Sequence, residues 1–195
     1  DIIVGTVVAG RSYPDLEYII GMFVNTLVLR NYPRDNKTFI EFLREVKKTT
    51  LEAFDHQDYP FDDLVDKLGV KRDAARNPLF DVLFLFDSIS KNEEKKIEIP
   101  GLKINPYEEG SFQAKFDLFF TGTDNGENGN QFFTIKYSTQ IFTKEKIERF
   151  ITYFQEIVSA VKENQAVALK NIRVSHGLAA LASVLDIREQ SGFKF

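Results

Sequence analysis

The sequence predicts an α+β fold in which amphipathic helices cover a β-sheet. Three observations carry this: short runs of β-branched and aromatic residues, two long segments with apolar residues at helical spacing, and two Asn-Gly steps between a pair of the runs. The 195 residues suit a single domain of ordinary size. With 43% apolar and 28% charged residues, and only 11 Gly and 6 Pro, the chain is neither disordered nor low in complexity.

Residues Ile2 to Val8 are β-branched and apolar and run into Ala9-Gly10-Arg11, a strand entering a turn. Ile19 to Leu29 reads as a second extended segment, with Asn25-Thr26 as a polar interruption. From Thr38 to Phe54 the period changes. Phe39, Phe42, Leu43, Val46, Thr50, Ala53 and Phe54 form one apolar stripe beside charged neighbours, which predicts a helix lying on a sheet. Pro60 opens a shorter helix through Leu68, with acidic residues in its first turn and Gly69 as its stop.

After the basic turn from Lys71 to Asn77, the run Leu79 to Phe86 is apolar on both faces except at Asp81, which predicts a strand covered on both sides. Ser88 to Lys96 reads as a loop. Strands are predicted at Ile97 to Ile104, Phe112 to Thr121 and Gln131 to Thr139. The Asn-Gly steps between the last two accept positive φ and predict an antiparallel hairpin. Thr143 caps a second long helix whose buried stripe is Ile147, Phe150, Ile151, Phe154, Ile157, Val158 and Val161. The tail beyond Gln165 is less regular, with a short helical patch at Leu178 to Leu185.

Composition excludes several functions. A net charge of -4 with no clustered basic face argues against nucleic acid as partner. The absence of Cys removes disulfides, thiolate metal sites and thiol nucleophiles, and permits a reducing, cytoplasmic location. No apolar run approaches the roughly 18 residues of a membrane span. The two His, His56 and His176, are far apart, so no mechanism needing paired imidazoles is open to this chain alone. His56 reads as a capping or exposed imidazole, and Asp62, Asp63 and Asp66 as helix-start acids, not as a metal site. Glycine-rich phosphate loops, the nucleophile elbow and the H-E-x-x-H zinc motif are missing. Starting at Asp1 and passing straight into an apolar stretch, the chain reads as a piece of something longer.

Three segments carry a resemblance. Ile20-Gly21-Met22-Phe23-Val24-Asn25-Thr26-Leu27, with Arg30 behind it, resembles the I-G-x-F-V-N-T motif of nonribosomal peptide synthetase condensation domains. His56-Gln57-Asp58-Tyr59-Pro60-Phe61-Asp62 is similar to that family's H/N-Q-D-x-P-F-E motif, and Arg72 to Asp81 to its R-D-x-S-R-N-P-L-F-D motif, with Ala75 in place of Ser. Lys115 to Leu118, Tyr137 to Phe142 and the helix around Ile147 to Phe150 resemble its closing segments. The version at Asn77 to Asp81 resembles ordinary condensation domains more than epimerisation or heterocyclisation ones.

The resemblance implies a chloramphenicol-acetyltransferase-like lobe: a two-layer sandwich with a mixed sheet, here incomplete. Residues 1–174 are expected to be the C-terminal lobe. Residues 175–195 are expected to be a linker toward a downstream adenylation domain, or unrelated sequence. The implied activity of the intact synthetase is amide-bond formation between a donor acyl thioester and an acceptor aminoacyl thioester, in bacterial secondary-metabolite synthesis. The substrates ride on phosphopantetheine arms of peptidyl carrier proteins, and no cofactor is bound covalently by this chain. The catalytic H-H-x-x-x-D-G motif belongs to the missing N-terminal lobe. This chain therefore holds no catalytic residue or metal ligand of its own and is expected to be inactive alone. The alternative is a non-catalytic docking platform for a carrier protein or neighbouring domain.

Within that frame Arg11 either reaches across the lobe boundary to hold the Asp of the absent motif or is a surface arginine beside a turn. Asn77, held extended before Pro78, either aims its amide into the tunnel between lobes or forms a turn. Phe23, Asn25 and Thr26 are candidates for tunnel lining. Asp81, an acid in an apolar strand, calls for a structural pair with Arg30 or Arg76.

Overall fold

The computed structural model describes residues 1–73, 76–88, 102, 114–124 and 131–175. Five strands are present among them: β1 Ile2–Val8, β2 Asn25–Asn31, β3 Val82–Ser88, β4 Leu118–Asp124 and β5 Gln131–Tyr137. The helices are α1 Phe39–Asp55, α2 Phe61–Lys67 and α3 Lys144–Glu163. Residues 74–75, 89–101, 103–113, 125–130 and 176–195 lie outside the description. With them go Ala75, His176, the loop after Ser88, most of the strand expected at Ile97 to Ile104, the Asn-Gly turn itself and the helical patch at Leu178 to Leu185.

The strands form one mixed sheet in the order β2-β1-β3-β4-β5. β1 and β2 pair antiparallel from Ile2↔Asn31 to Val8↔Asn25, and β4 and β5 from Leu118↔Tyr137 to Asp124↔Gln131. β3 is central and parallel to both β1 and β4. The antiparallel pairing predicted across the Asn-Gly steps is present. Several sequence expectations shift: β3 begins at Val82, not Leu79, and takes in Ser88, expected in the loop; β4 is Leu118–Asp124, not Phe112 to Thr121; and β5 ends at Tyr137, not Thr139. The second extended segment starts at Asn25, not Ile19, because Gly10 turns β1 away at a φ of 65° and leaves the residues before Asn25 no ladder partner. The two-sided cover of β3 is partial: Leu83 is buried, whereas Phe86 is 44% exposed.

The described residues fall into two compact units, Asp1–Asn31 with Thr49–Phe142, and Tyr32–Lys48 with the chain from Thr143. In the first unit the core is Leu27, Val65, Phe80 and Leu83. Phe80 lies edge-on to Phe61 at 5.9 Å and stacks on Phe116 at 5.7 Å, and its ring fills the space where a Cβ on Gly5 would sit. Each such ring pair adds about 0.5–1.5 kcal/mol beyond burial. An exposed ion pair is worth at most about 1 kcal/mol, so Phe80 and its rings are the stronger fastener between α2 and the sheet.

In the second unit, Thr38 and Glu41 form a capping box at the start of α1. The Thr38 amide and hydroxyl donate to the Glu41 carboxylate at 2.8 Å, which holds that carboxyl below its ordinary value. The next orphan donors of the helix, the Phe39 and Ile40 amides, reach the carbonyls of Val167 and Gln165 at 2.8 and 3.0 Å. Thr143 caps α3 as expected, but of its apolar stripe only Ile147 and Val161 are buried. Beyond α3, the amide and hydroxyl of Ser175 both donate to Glu156 and lower its carboxyl. Among the described residues no helix is long and apolar enough to cross a membrane.

A Cβ on Gly10 would lie 1.7 Å from the Phe23 carbonyl oxygen, whereas Gly69, also at positive φ, has no atom within 4 Å. In urea unfolding, Gly69→Ala should cost about 1–2 kcal/mol, the left-handed penalty alone, and Gly10→Ala distinctly more. A depressed carboxyl pKa stabilises above the unfolded value, and that contribution is lost as pH falls through the folded one. The Ser175 amide resonance should therefore titrate with a midpoint below the ordinary 4.5 of Glu156 and cease to titrate in Glu156→Gln. A midpoint at or above 4.5 would contradict the pairing.

Candidate functional site

The loop of residues 9–24 leaves the sheet after β1 and returns at Asn25, and its base is closed by local contacts. Gly10 permits the Phe23 carbonyl to approach closely. The Arg11 guanidinium lies 4.5 Å from the centre of the Phe23 ring and donates to the Leu16 carbonyl. The tip stays unburied: Tyr18, Ile20 and Met22 are 88%, 102% and 91% exposed. A rigid base thus carries an apolar end with no cover among the described residues.

Asn25 fixes this base to the turn between α1 and α2. Its side-chain amide donates to the carbonyls of Gln57 at 2.7 Å and Tyr59 at 2.8 Å. Its Oδ1 accepts from the amides of Thr26 at 2.9 Å and Phe61 at 3.2 Å. Both donors and both acceptor positions of the side chain are therefore committed to backbone. A second tie runs parallel to it, Ser12 Oγ donating to Asp58 at 2.8 Å. The residues of the I-G-x-F-V-N-T-like and H-Q-D-x-P-F-like segments are joined through these bonds. From Phe61 the connection continues to Phe80, next to Asp81.

The remaining predicted residues gather where β3 and β4 begin. Asn77 Nδ2 donates to the Lys115 carbonyl at 3.2 Å, and the Asp81 carbonyl accepts from the Asp117 amide at 3.0 Å. Of the two cations proposed for Asp81, Arg76 is the one that faces it, at 3.8 Å. The Asp81 side chain is 44% exposed, so it is not the buried carboxylate the apolar run suggested: its position just ahead of β3 puts it outside the sheet interior. Arg30 is two strands away on β2, and its guanidinium meets Asp1. Arg11, Phe23, Asn25 and Thr26 thus form one group, Arg76, Asn77 and Asp81 a second, and Arg30 stands apart.

Chemically, these groups orient backbone and offer hydrogen bonds. Among the described residues there is no cluster of three His, Asp or Glu side chains able to hold a metal ion. The Ser12–Asp58 tie escaped the sequence reading, since a Ser and an Asp 46 residues apart carry no local signal. Replacing Asn25 by Ala removes the side-chain partner of two carbonyls and two amides, each costing about 1–3 kcal/mol if left without a partner. Asn25→Ala should lower the urea midpoint by the equivalent of at least about 2 kcal/mol, and Asn77→Ala, losing one exposed bond, by less than about 1 kcal/mol. Equal small effects would remove Asn25 from this role.

A family model described as Condensation domain matches residues 1–176. Tyrocidine synthase 3 of Brevibacillus parabrevis is 47% identical over 172 residues, 88% of this chain and 3% of that protein. Surfactin synthase subunit 1 of Bacillus subtilis (strain 168) is 46% identical over 164 residues, 84% of this chain and 4% of that protein. The chain therefore spans a small fraction of the length of these relatives. Among solved structures, the X-domain from teicoplanin biosynthesis superposes with a TM-score of 0.79 at 20% identity, covering 89% of this chain and 39% of that one. A four-domain nonribosomal peptide synthetase bound to AMP and glycine superposes with a TM-score of 0.77 at 19% identity, covering 90% and 14%. At such identities these two likenesses speak for the fold.

Proposed function

The chain belongs to the condensation-domain family, and on that premise we propose that residues 1–174 are the C-terminal lobe of a nonribosomal peptide synthetase condensation domain. Residues 175–195 lead toward a downstream adenylation domain. In the intact synthetase, a cytoplasmic enzyme, the amine of the acceptor aminoacyl thioester attacks the donor thioester carbonyl. The carbon–sulfur bond breaks, an amide forms, and the donor arm leaves as a thiol carrying the proton lost by the amine. Both substrates are delivered on phosphopantetheine arms of peptidyl carrier proteins, and the proton-handling residues lie in the N-terminal lobe.

This lobe supplies shape and support. Arg11 stiffens the active-site boundary from its place over Phe23, and Asn77 holds the start of β4 through Lys115. Phe23, Asn25 and Thr26 form a wall of the tunnel, Asn25 acting through its four backbone bonds. The observation that carries the reading is the match over residues 1–176 combined with the exposed apolar tip at Tyr18 to Met22, a surface suited to burial against the upstream lobe.

The test is a condensation assay with two loaded carrier proteins, read by mass spectrometry of the carrier-bound product. The two-lobed domain should form the amide and the 195-residue chain alone should not. Arg11→Ala in the two-lobed domain should slow product formation by about tenfold or more, as expected when a positioning contact is lost. An unchanged rate would remove Arg11 from the site. Carrier binding by the chain together with no amide from the two-lobed domain would replace the enzyme reading with that of a docking platform.

A further inference from the structure

A cavity of about 610 Å³ opens on the first unit between β2, the end of α1 and α2. Its volume is within the roughly 300–1,000 Å³ that hold drug-sized ligands. Leu27, itself buried, and Leu64 provide apolar lining, with Ala53 on the α1 side; His56, Tyr59 and Lys67 bring polar groups to it. Lys67 is the informative residue. It sits on a helix with three aspartates, yet Asp62 and Asp66 are both held by Arg72, at 3.3 and 3.0 Å. Among the described residues the Lys67 ammonium has no carboxylate partner and lies 5.9 Å from the centre of the Tyr59 ring.

An ammonium with no carboxylate partner among the described residues, beside an apolar cavity, is complementary to one kind of ligand, an anion with a hydrocarbon body. We propose that this cavity binds a small amphipathic carboxylate, its body against Leu27 and Leu64 and its carboxylate on Lys67. A bare inorganic anion would leave the apolar lining unused, and a neutral hydrocarbon would leave the ammonium unpaired. The cavity backs onto the Asn25 tie, because Thr26 and Tyr59 belong to both, so an occupant would brace the same junction. The inference stands independently of the condensation reading.

Sodium decanoate, kept below its micelle concentration, is the probe, titrated into the 195-residue chain and followed by amide chemical shifts. Shifts are expected at Thr26, Val28, Ala53 and Leu68, and decanol should bind about tenfold more weakly, the loss of one charge-assisted hydrogen bond. Lys67→Gln, a surface change that leaves the fold intact, should abolish the preference for decanoate over decanol. Ala53→Phe should close the cavity and remove both. Equal affinity for decanoate and decanol, shifts confined to the exposed residues Tyr18 to Met22, or no binding would each overturn the assignment.

Discussion

Asn25 is the constraint on which the candidate site depends. One short side chain meets four backbone groups drawn from β2, the α1–α2 turn and the first residue of α2. Because every hydrogen-bonding position is used, neither Asp, which loses the donors, nor Leu, which loses everything, can substitute without stranding backbone groups. The loop of residues 9–24 inherits its rigidity from this point. Its apolar tip, at Tyr18, Ile20 and Met22, has no cover among the described residues.

The rest of the first unit extends that junction. Phe61, whose amide Asn25 holds, presses its ring on Phe80; Phe80 covers Gly5 on β1 and stacks on Phe116 just ahead of β4. A single aromatic thus links the start of α2 to β1 and to the segment just ahead of β4. The described core is nevertheless small, and large apolar residues such as Ile20, Met22 and Phe132 remain exposed. Exposed apolar surface of this kind is suited to contact with other protein surface; the X-domain structure that shares the fold is longer, and this chain covers 39% of it.

Much of this was legible from the residues. Strand β1, helix α1 within a residue at each end, and the Thr143 cap follow from period and capping chemistry, which act over a few neighbours and are written locally. The start of β2 was misplaced because Tyr18 to Val24 is as apolar as a strand, and only the left-handed turn at Gly10 removes its partner. Asp81 was expected to be buried because an acid in an apolar run normally is; its place ahead of β3 depends on where the sheet begins, which no window of sequence reports. Asn25 appeared as an interruption in an apolar run. Its partners lie 32 to 36 residues away and could not be read from spacing.

The most direct test of the account is native-state hydrogen exchange of two amides, Thr26 and Phe61, which share Oδ1 of Asn25 as acceptor. If that side chain is the junction between β2 and α2, both amides should be protected and open with the same free energy, as one cooperative unit. A protected Thr26 amide beside a Phe61 amide exchanging at the rate of an unstructured peptide would show that β2 and α2 are not joined through Asn25, and would contradict the account.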